Sequence, residues 1–146
     1  MKASEFLTES EKKEIVEAIK TAEHDTSGEI RVHLEMNCKA DVLDRTAHIF
    51  AKLKMHKTAL RNGVLFYLAI EDRKFALIGD VGINKVVPDG FWEETKNKMQ
   101  EYFAQGKFSK GLVHGILMAG EKLKAYFPYE VGDINELPDD ISYGNK

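Results

Sequence analysis

Apolar positions are densest between Asn62 and Asp89, in the stretch NGVLFYLAIEDRKFALIGDVGINKVVPD. Gly63–Ile70 is a nearly unbroken apolar run, the pattern of a strand buried on both faces. The polar segment Glu71-Asp72-Arg73-Lys74 follows, then a second apolar run, Phe75–Ile78, so the two runs predict an antiparallel hairpin. Gly79-Asp80-Val81-Gly82 and Pro88-Asp89-Gly90 then break the pattern ahead of a new helix. The other elements can be placed by how they cover this hairpin.

Before it, Thr8-Glu9-Ser10-Glu11 has the form of a capping box, opening a helix to about His24 with Ile15, Ile19 and Ala22 on one face. Asp25-Thr26-Ser27-Gly28 stops that helix. Glu29–Met36 alternates, Ile30, Val32, Leu34 and Met36 on one side and Arg31, His33 and Glu35 on the other. It predicts a half-buried strand nearer the sheet edge than the Val64 strand. Asp41 is placed to cap a second helix to about Leu53. Strand, helix and strand make a βαβ unit, so the Glu29 and Gly63 strands are expected to be parallel within a mixed sheet.

Asp89 is placed to cap a third helix to about Gln105, with Trp92, Met99, Tyr102 and Phe103 inward. Ser109 starts a fourth helix, with Leu112, Ile116, Ala119, Leu123 and Phe127 at helical spacing, closed by Pro128. The pattern thus predicts one α/β domain over residues 1–128. The tail 129–146 has sparse apolar positions, Val131, Ile134, Leu137 and Ile141, and carries five acids against Lys146. It is expected to be extended, partly packed and partly disordered.

Composition changes this picture little. A chain of 146 residues with 43% hydrophobic and 31% charged positions is ordinary for a single domain. A formal charge of −3 and no long basic stripe argue against nucleic-acid binding. The longest apolar run is far short of a membrane span, and the N-terminus turns charged before an apolar signal core could form, so cytoplasmic residence without membrane insertion is expected. Cys38 is a lone cysteine, which excludes an internal disulfide. Gly79–Gly82 lacks the Gly-Lys-Ser/Thr of a phosphate loop; His24 ends a helix, His33 is on the polar face of a strand, and His48, His56 and His114 share no ligand spacing.

In this order the elements resemble the TPM domain family, which includes acid-phosphatase-like proteins of the thylakoid lumen. The likeness is to a small soluble bacterial member and covers roughly residues 6–127. It rests on Leu7-Thr8-Glu9-Ser10-Glu11, Thr26-Ser27-Gly28-Glu29-Ile30, Asn62-Gly63-Val64-Leu65, Glu71-Asp72-Arg73-Lys74, Gly79-Asp80-Val81-Gly82, Pro88-Asp89, and the segment from Phe103 to Leu112. The resemblance implies a three-layer α/β/α sandwich, divalent-metal binding (often calcium), and in some members weak phosphatase activity or a role in assembling membrane complexes. Two positions depart from the family pattern. Arg61 stands where an Asp usually precedes Asn-Gly-Val-Leu, and Asp80 replaces an aromatic residue.

Strand direction decides which carboxylates can meet. The hairpin returns Asp80 beside Asn62, the parallel strand starts at Glu29 on that end, and Asp89 follows a short excursion. Asp80, Asp89, Asn62 and Glu29 are therefore one candidate metal group, with oxygen ligands suited to calcium. The plain alternative makes Asp89 a helix cap and Asp80 a turn residue. Glu71, Asp72 and Asp41 belong to the opposite end of the sheet, roughly 20 Å away, where open α/β sheets commonly bind ligands. Three functions stay open: a calcium-binding domain with a binding or assembly role, a metal-dependent phosphatase of low activity with catalytic residues unknown, and a metal-independent module for a protein partner.

Overall fold

The computed structural model describes residues 1–130 and 136–144. A short α1 (Ala3–Phe6) precedes α2 (Glu9–Asp25), whose start is fixed by the predicted box. Thr8 Oγ1 accepts from the Glu11 amide at 3.1 Å and Glu11 Oε1 accepts from the Thr8 amide at 2.9 Å. Then come β1 (Glu29–Glu35), α3 (Val42–Lys52), β2 (Gly63–Ala69) and β3 (Lys74–Gly79). After them follow α4 (Val81–Asn84), α5 (Glu93–Ala104), α6 (Phe108–Leu123) and β4 (Ile141–Tyr143).

The sheet runs β3-β2-β1-β4. β1 and β2 are parallel from Glu29 opposite Gly63 to Glu35 opposite Ala69, and β3 is antiparallel to β2 from Val64 opposite Gly79 to Ala69 opposite Lys74. β2 therefore lies between two strands, and all seven of its residues are buried, as its continuous apolar run predicts. One sheet face carries Ile30, Val32, Leu34, Val64, Phe66, Leu68 and Leu77 into a core with α1, α2, α5 and α6. The other carries Leu65, Tyr67 and Ala69 against Ile49 and Phe50 of α3 and Leu137 of the tail. The result is the α/β sandwich that the resemblance implied, around a mixed sheet. No helix among the described residues is long and apolar enough to cross a membrane.

Local expectations are corrected or sharpened at five points. β1 is not near an edge, because β4 pairs on its far side in parallel. Its polar face is consequently buried, with His33 4% and Glu35 0% exposed. Asp89 does not cap α5. That helix begins after Trp92, which provides no side-chain cap, and Gly90 with φ +76° turns the chain between Asp89 and the helix.

Residues 79–82 are not a free loop, since Asp80 caps α4 by accepting from the Val81 amide at 2.7 Å. The tail contributes β4 to the sheet, while Val131 and Ile134 lie outside the described residues. Pro128 bridges to Thr26 rather than directly terminating α6, which ends at Leu123.

Gly82 is placed by proximity. Its amide donates to the Arg61 carbonyl at 2.9 Å, and a Cβ there would sit 2.1 Å from the Leu60 oxygen and 2.6 Å from the Arg61 oxygen. Both obstacles are backbone, so relief requires moving the chain rather than a rotamer. Gly82→Ala should lower stability by about 2 kcal/mol, read as a fall in the denaturant midpoint at unchanged slope. An unchanged midpoint would show that the α4 turn is not packed this closely.

Candidate functional site

The register brings three of the four expected residues to one end of the sheet. The Glu29 amide donates to the Asn62 carbonyl at 3.2 Å, and the Asp80 amide donates to the Gly63 carbonyl at 2.9 Å. The side chains then diverge. Asp80 receives the Arg61 guanidinium bidentately, Nε on Oδ2 at 2.8 Å and Nη2 on Oδ1 at 2.9 Å, besides the Val81 amide. The Asp80 hydrogen bond keeps the Arg61 guanidinium charged, raising it above its ordinary value. The two departures from the family pattern are thus the two halves of one ion pair. Asp89 lies apart, exposed in the turn before α5, in a cleft with Asn84, Val87, Phe91, Trp92 and Lys96.

Glu29 has different company. Its carboxylate accepts from the Glu136 amide at 2.7 Å. Beside it Glu23, near the C-terminal end of α2, accepts from the Ile30 amide at 3.0 Å, and its carboxyl lies close to those of Asp139 and Glu29. Carboxyls can bond one another only by holding a proton between them. Burial pushes Glu23 up to about 10, with Asp139 adding to the shift. Burial also raises Glu29, helped by the charges of Glu136 and Asp139.

Asn62 is 1% exposed and completes this corner. Its Nδ2 donates to the Ser27 carbonyl at 3.3 Å, while its Oδ1 is buried with no partner. Glu23 and Asp139 were not among the residues expected from sequence. Glu23 was legible, because it falls four residues after Ile19 and so continues the buried stripe of α2. Among the described residues, no three His, Cys, Asp or Glu side chains are preassembled around a cation position.

At the opposite end the acids serve the backbone. Asp72 accepts from the Cys38 amide at 2.7 Å and from Asn37 Nδ2 at 3.4 Å. The Cys38 bond holds its carboxyl below the usual range. Asp41 caps α3 by accepting from the Leu43 and Asp44 amides at 3.0 and 3.1 Å. Glu71 is exposed, and its amide donates to the Met36 carbonyl at 2.8 Å.

A further polar group lies on the α3 side of β1. Glu35 accepts from Arg45 Nε at 3.1 Å, from Arg45 Nη2, from the Tyr67 hydroxyl, and from His33 Nε2 at 3.2 Å. Burial alone would raise its carboxyl, but these donors outweigh burial and hold it below the usual range. Burial lowers the His33 imidazole against the pull of Glu35. With Nε2–H donating to Glu35, the neutral ring's Nδ1 accepts from the Ser142 hydroxyl at 2.6 Å.

The sequence hydroxyl, imidazole, carboxylate has the order of an acyl-transfer triad. Here, however, Glu35 is already neutralised by Arg45, and Ser142 sits within a strand ladder rather than on an exposed turn. The arrangement holds structure together; it does not activate a nucleophile.

The sequence profile of the TPM domain matches residues 1–122. No curated protein matches the chain. Among solved structures, the NMR structure of the BA42 protein from the psychrophilic Bizionia argentinensis is 55% identical, with a TM-score of 0.92, covering 98% of this chain and 99% of that one. The N-terminal domain of a P. gingivalis protein shares the fold at 18% identity and a TM-score of 0.69, covering 87% of this chain and 83% of that one. The N-terminal domain of the cg2496 protein from Corynebacterium glutamicum does so at 14% identity and 0.62, covering 93% and 80%. The chain belongs to the TPM domain family.

Proposed function

We propose that this chain binds a divalent cation, calcium in the first place, and acts through binding or assembly with a protein partner. The observation that carries the reading is the buried corner where the Glu23 carboxyl lies close to those of Glu29 and Asp139, next to Asn62, whose carbonyl takes the Glu29 amide and whose buried Oδ1 has no partner. The donor set is all oxygen, as a hard cation requires. A cation would replace the proton that burial keeps on Glu23 and would give the Asn62 oxygen a partner. Glu29 and Asn62 of the expected group would serve as ligands, joined by Glu23 and Asp139. In this reading Asp80 stays with Arg61. In the metal-dependent phosphatase reading Arg61 would help hold a phosphate, but its guanidinium is bound bidentately by Asp80, so that reading loses this support.

Calcium added to metal-stripped protein should raise the melting temperature and shift the amide resonances of residues 27–30, 62 and 139. Glu29→Gln should weaken binding at least tenfold, the scale of one lost charged ligand. No shift in spectra or stability at millimolar calcium would end the proposal. Shifts confined to residues 71 and 72 would move the site to the other end of the sheet.

The corner also sets a pH dependence. The folded pKa of Glu23, about 10, lies above its ordinary 4.5, so the folded state holds the extra proton. Stability from that proton is complete below the ordinary value and is lost as pH rises toward the folded one. The lowered His33 and Glu35 work in the opposite direction, but their contributions are complete above 6.5 and 4.5. Between about pH 7 and pH 9 the raised Glu23, with Glu29 raised beside it, therefore dominates among these groups. Metal-free protein should lose melting temperature across that window, and Glu23→Gln should flatten the loss. A Glu23→Gln profile parallel to wild type would place the titration elsewhere.

A further inference from the structure

The tail is held on the β1 edge by a small set of specific contacts. Val32, His33 and Leu34 lie opposite Ile141, Ser142 and Tyr143. Ile141 enters the main core at 5% exposure, the Ser142 hydroxyl bonds His33, and the Gly144 amide donates to the Leu34 carbonyl at 3.0 Å. A Cβ at Gly144 would stand 2.4 Å from Glu35 Oε1 and 2.9 Å from His33 Nε2, so only glycine fits over that pair. The edge therefore reads an extended segment at alternating depth: an aliphatic residue, a hydroxyl, an open position, then glycine.

The same tail meets opposition further back. Residues 136–144 carry Glu136, Asp139 and Asp140 and no base, although the Glu29 and Glu23 carboxyls, on the Glu136 and Ile30 amides, face this stretch, so the acids of the corner meet no opposite charge from the tail. A strand of three residues makes few ladder bonds to offset this. Arg31 faces Asp140, so the charge mismatch is centred on the position two before the aliphatic residue.

We propose that the β1 edge is a recognition groove for an extended segment of a partner protein, running parallel to β1, with the pattern basic–x–aliphatic–Ser/Thr–x–Gly, and that the chain's own tail occupies it as a weaker placeholder. The basic residue replaces Asp139 and meets Glu23 and Glu29 with opposite charge. Addition of a strand to a sheet edge supplies affinity through the backbone, while the His33, Glu35 and Ile141 positions supply selectivity. The groove needs no bound ion.

The test uses the full chain carrying Gly144→Val, which removes the tail's fit, with Ile141→Asp as a second variant that frees it by a different route. Each is titrated with two synthetic peptides, LPDDISYGNK and LPKDISYGNK, followed by amide NMR. Both peptides should shift residues 32–35 in the freed variants, with the lysine peptide binding about tenfold tighter. Peptides with serine changed to alanine should bind about fivefold weaker, and those with glycine changed to valine should not bind. Folded variants that take neither peptide would overturn the groove, and equal affinities would overturn the basic position. A concentration-dependent wild-type dimer that exchanges tails would make a second copy the occupant and overturn the separate partner.

Discussion

Glu35 is the constraint on which the arrangement of layers rests. A carboxylate with no exposed surface needs its donors in place, and here they come from α3 (Arg45), β2 (Tyr67) and β1 itself (His33). Removing one partner of a buried pair typically costs 3–5 kcal/mol, because the remaining charge is left uncompensated. The position of α3 over the sheet and the register of β1 on β2 are therefore tied to one side chain. Gly144 and Ser142 extend the same tie to the tail, so a segment remote in sequence is held by the group that fixes the core.

The two ends of the sheet use acids in opposite ways. Asp72 and Asp41 accept backbone amides and order the loops they sit in, which leaves their charges stabilised and exposed to solvent. At the other end Glu23 lies close to Glu29 and Asp139, a less favourable arrangement in which burial keeps the proton on Glu23. Between these cases stands the Arg61–Asp80 pair. Arg61 has φ +51°, a left-handed conformation uncommon for a non-glycine residue. Its fork on Asp80, together with the Gly82 amide on its carbonyl, keeps it there. Neither departure from the family pattern makes sense singly, since an unpaired Asp80 at 6% exposure would be a buried charge.

Much of the fold was legible because it is written locally. The Thr8 box, the Asp41 cap, the β2–β3 hairpin and the parallel β1–β2 unit all follow from periodicity and short motifs. The failures share a cause: local pattern does not say what lies beyond the element. β1 alternates as a half-exposed strand does, yet its polar face is buried because β4 arrives from more than a hundred residues away. Pro88-Asp89-Gly90 carries a cap signal and a turn signal together, and the positive φ of Gly90 decides for the turn. Of the acid corner, Glu29 and Asn62 followed from strand direction and Glu23 could have been found on the α2 stripe. Asp139 could not, since its place depends on where the tail docks.

The tail joins the acid corner to the β1 edge, and that connection has a thermodynamic consequence. Asp139 and Glu136 take part in the corner, while Ile141, Ser142 and Gly144 take part in the edge. An ion held in part by Asp139 would bind the docked tail better than the displaced one. A segment that displaces the tail removes Asp139 from the corner, so each ligand must weaken the other by the same factor. A partner that brings its own basic residue strengthens this opposition, because it supplies to Glu23 and Glu29 the positive charge that the ion would otherwise provide. If the chain binds both, the small and acidic hold of the tail would let one domain exchange a cation for a partner strand that fills the Ile141 position in its place.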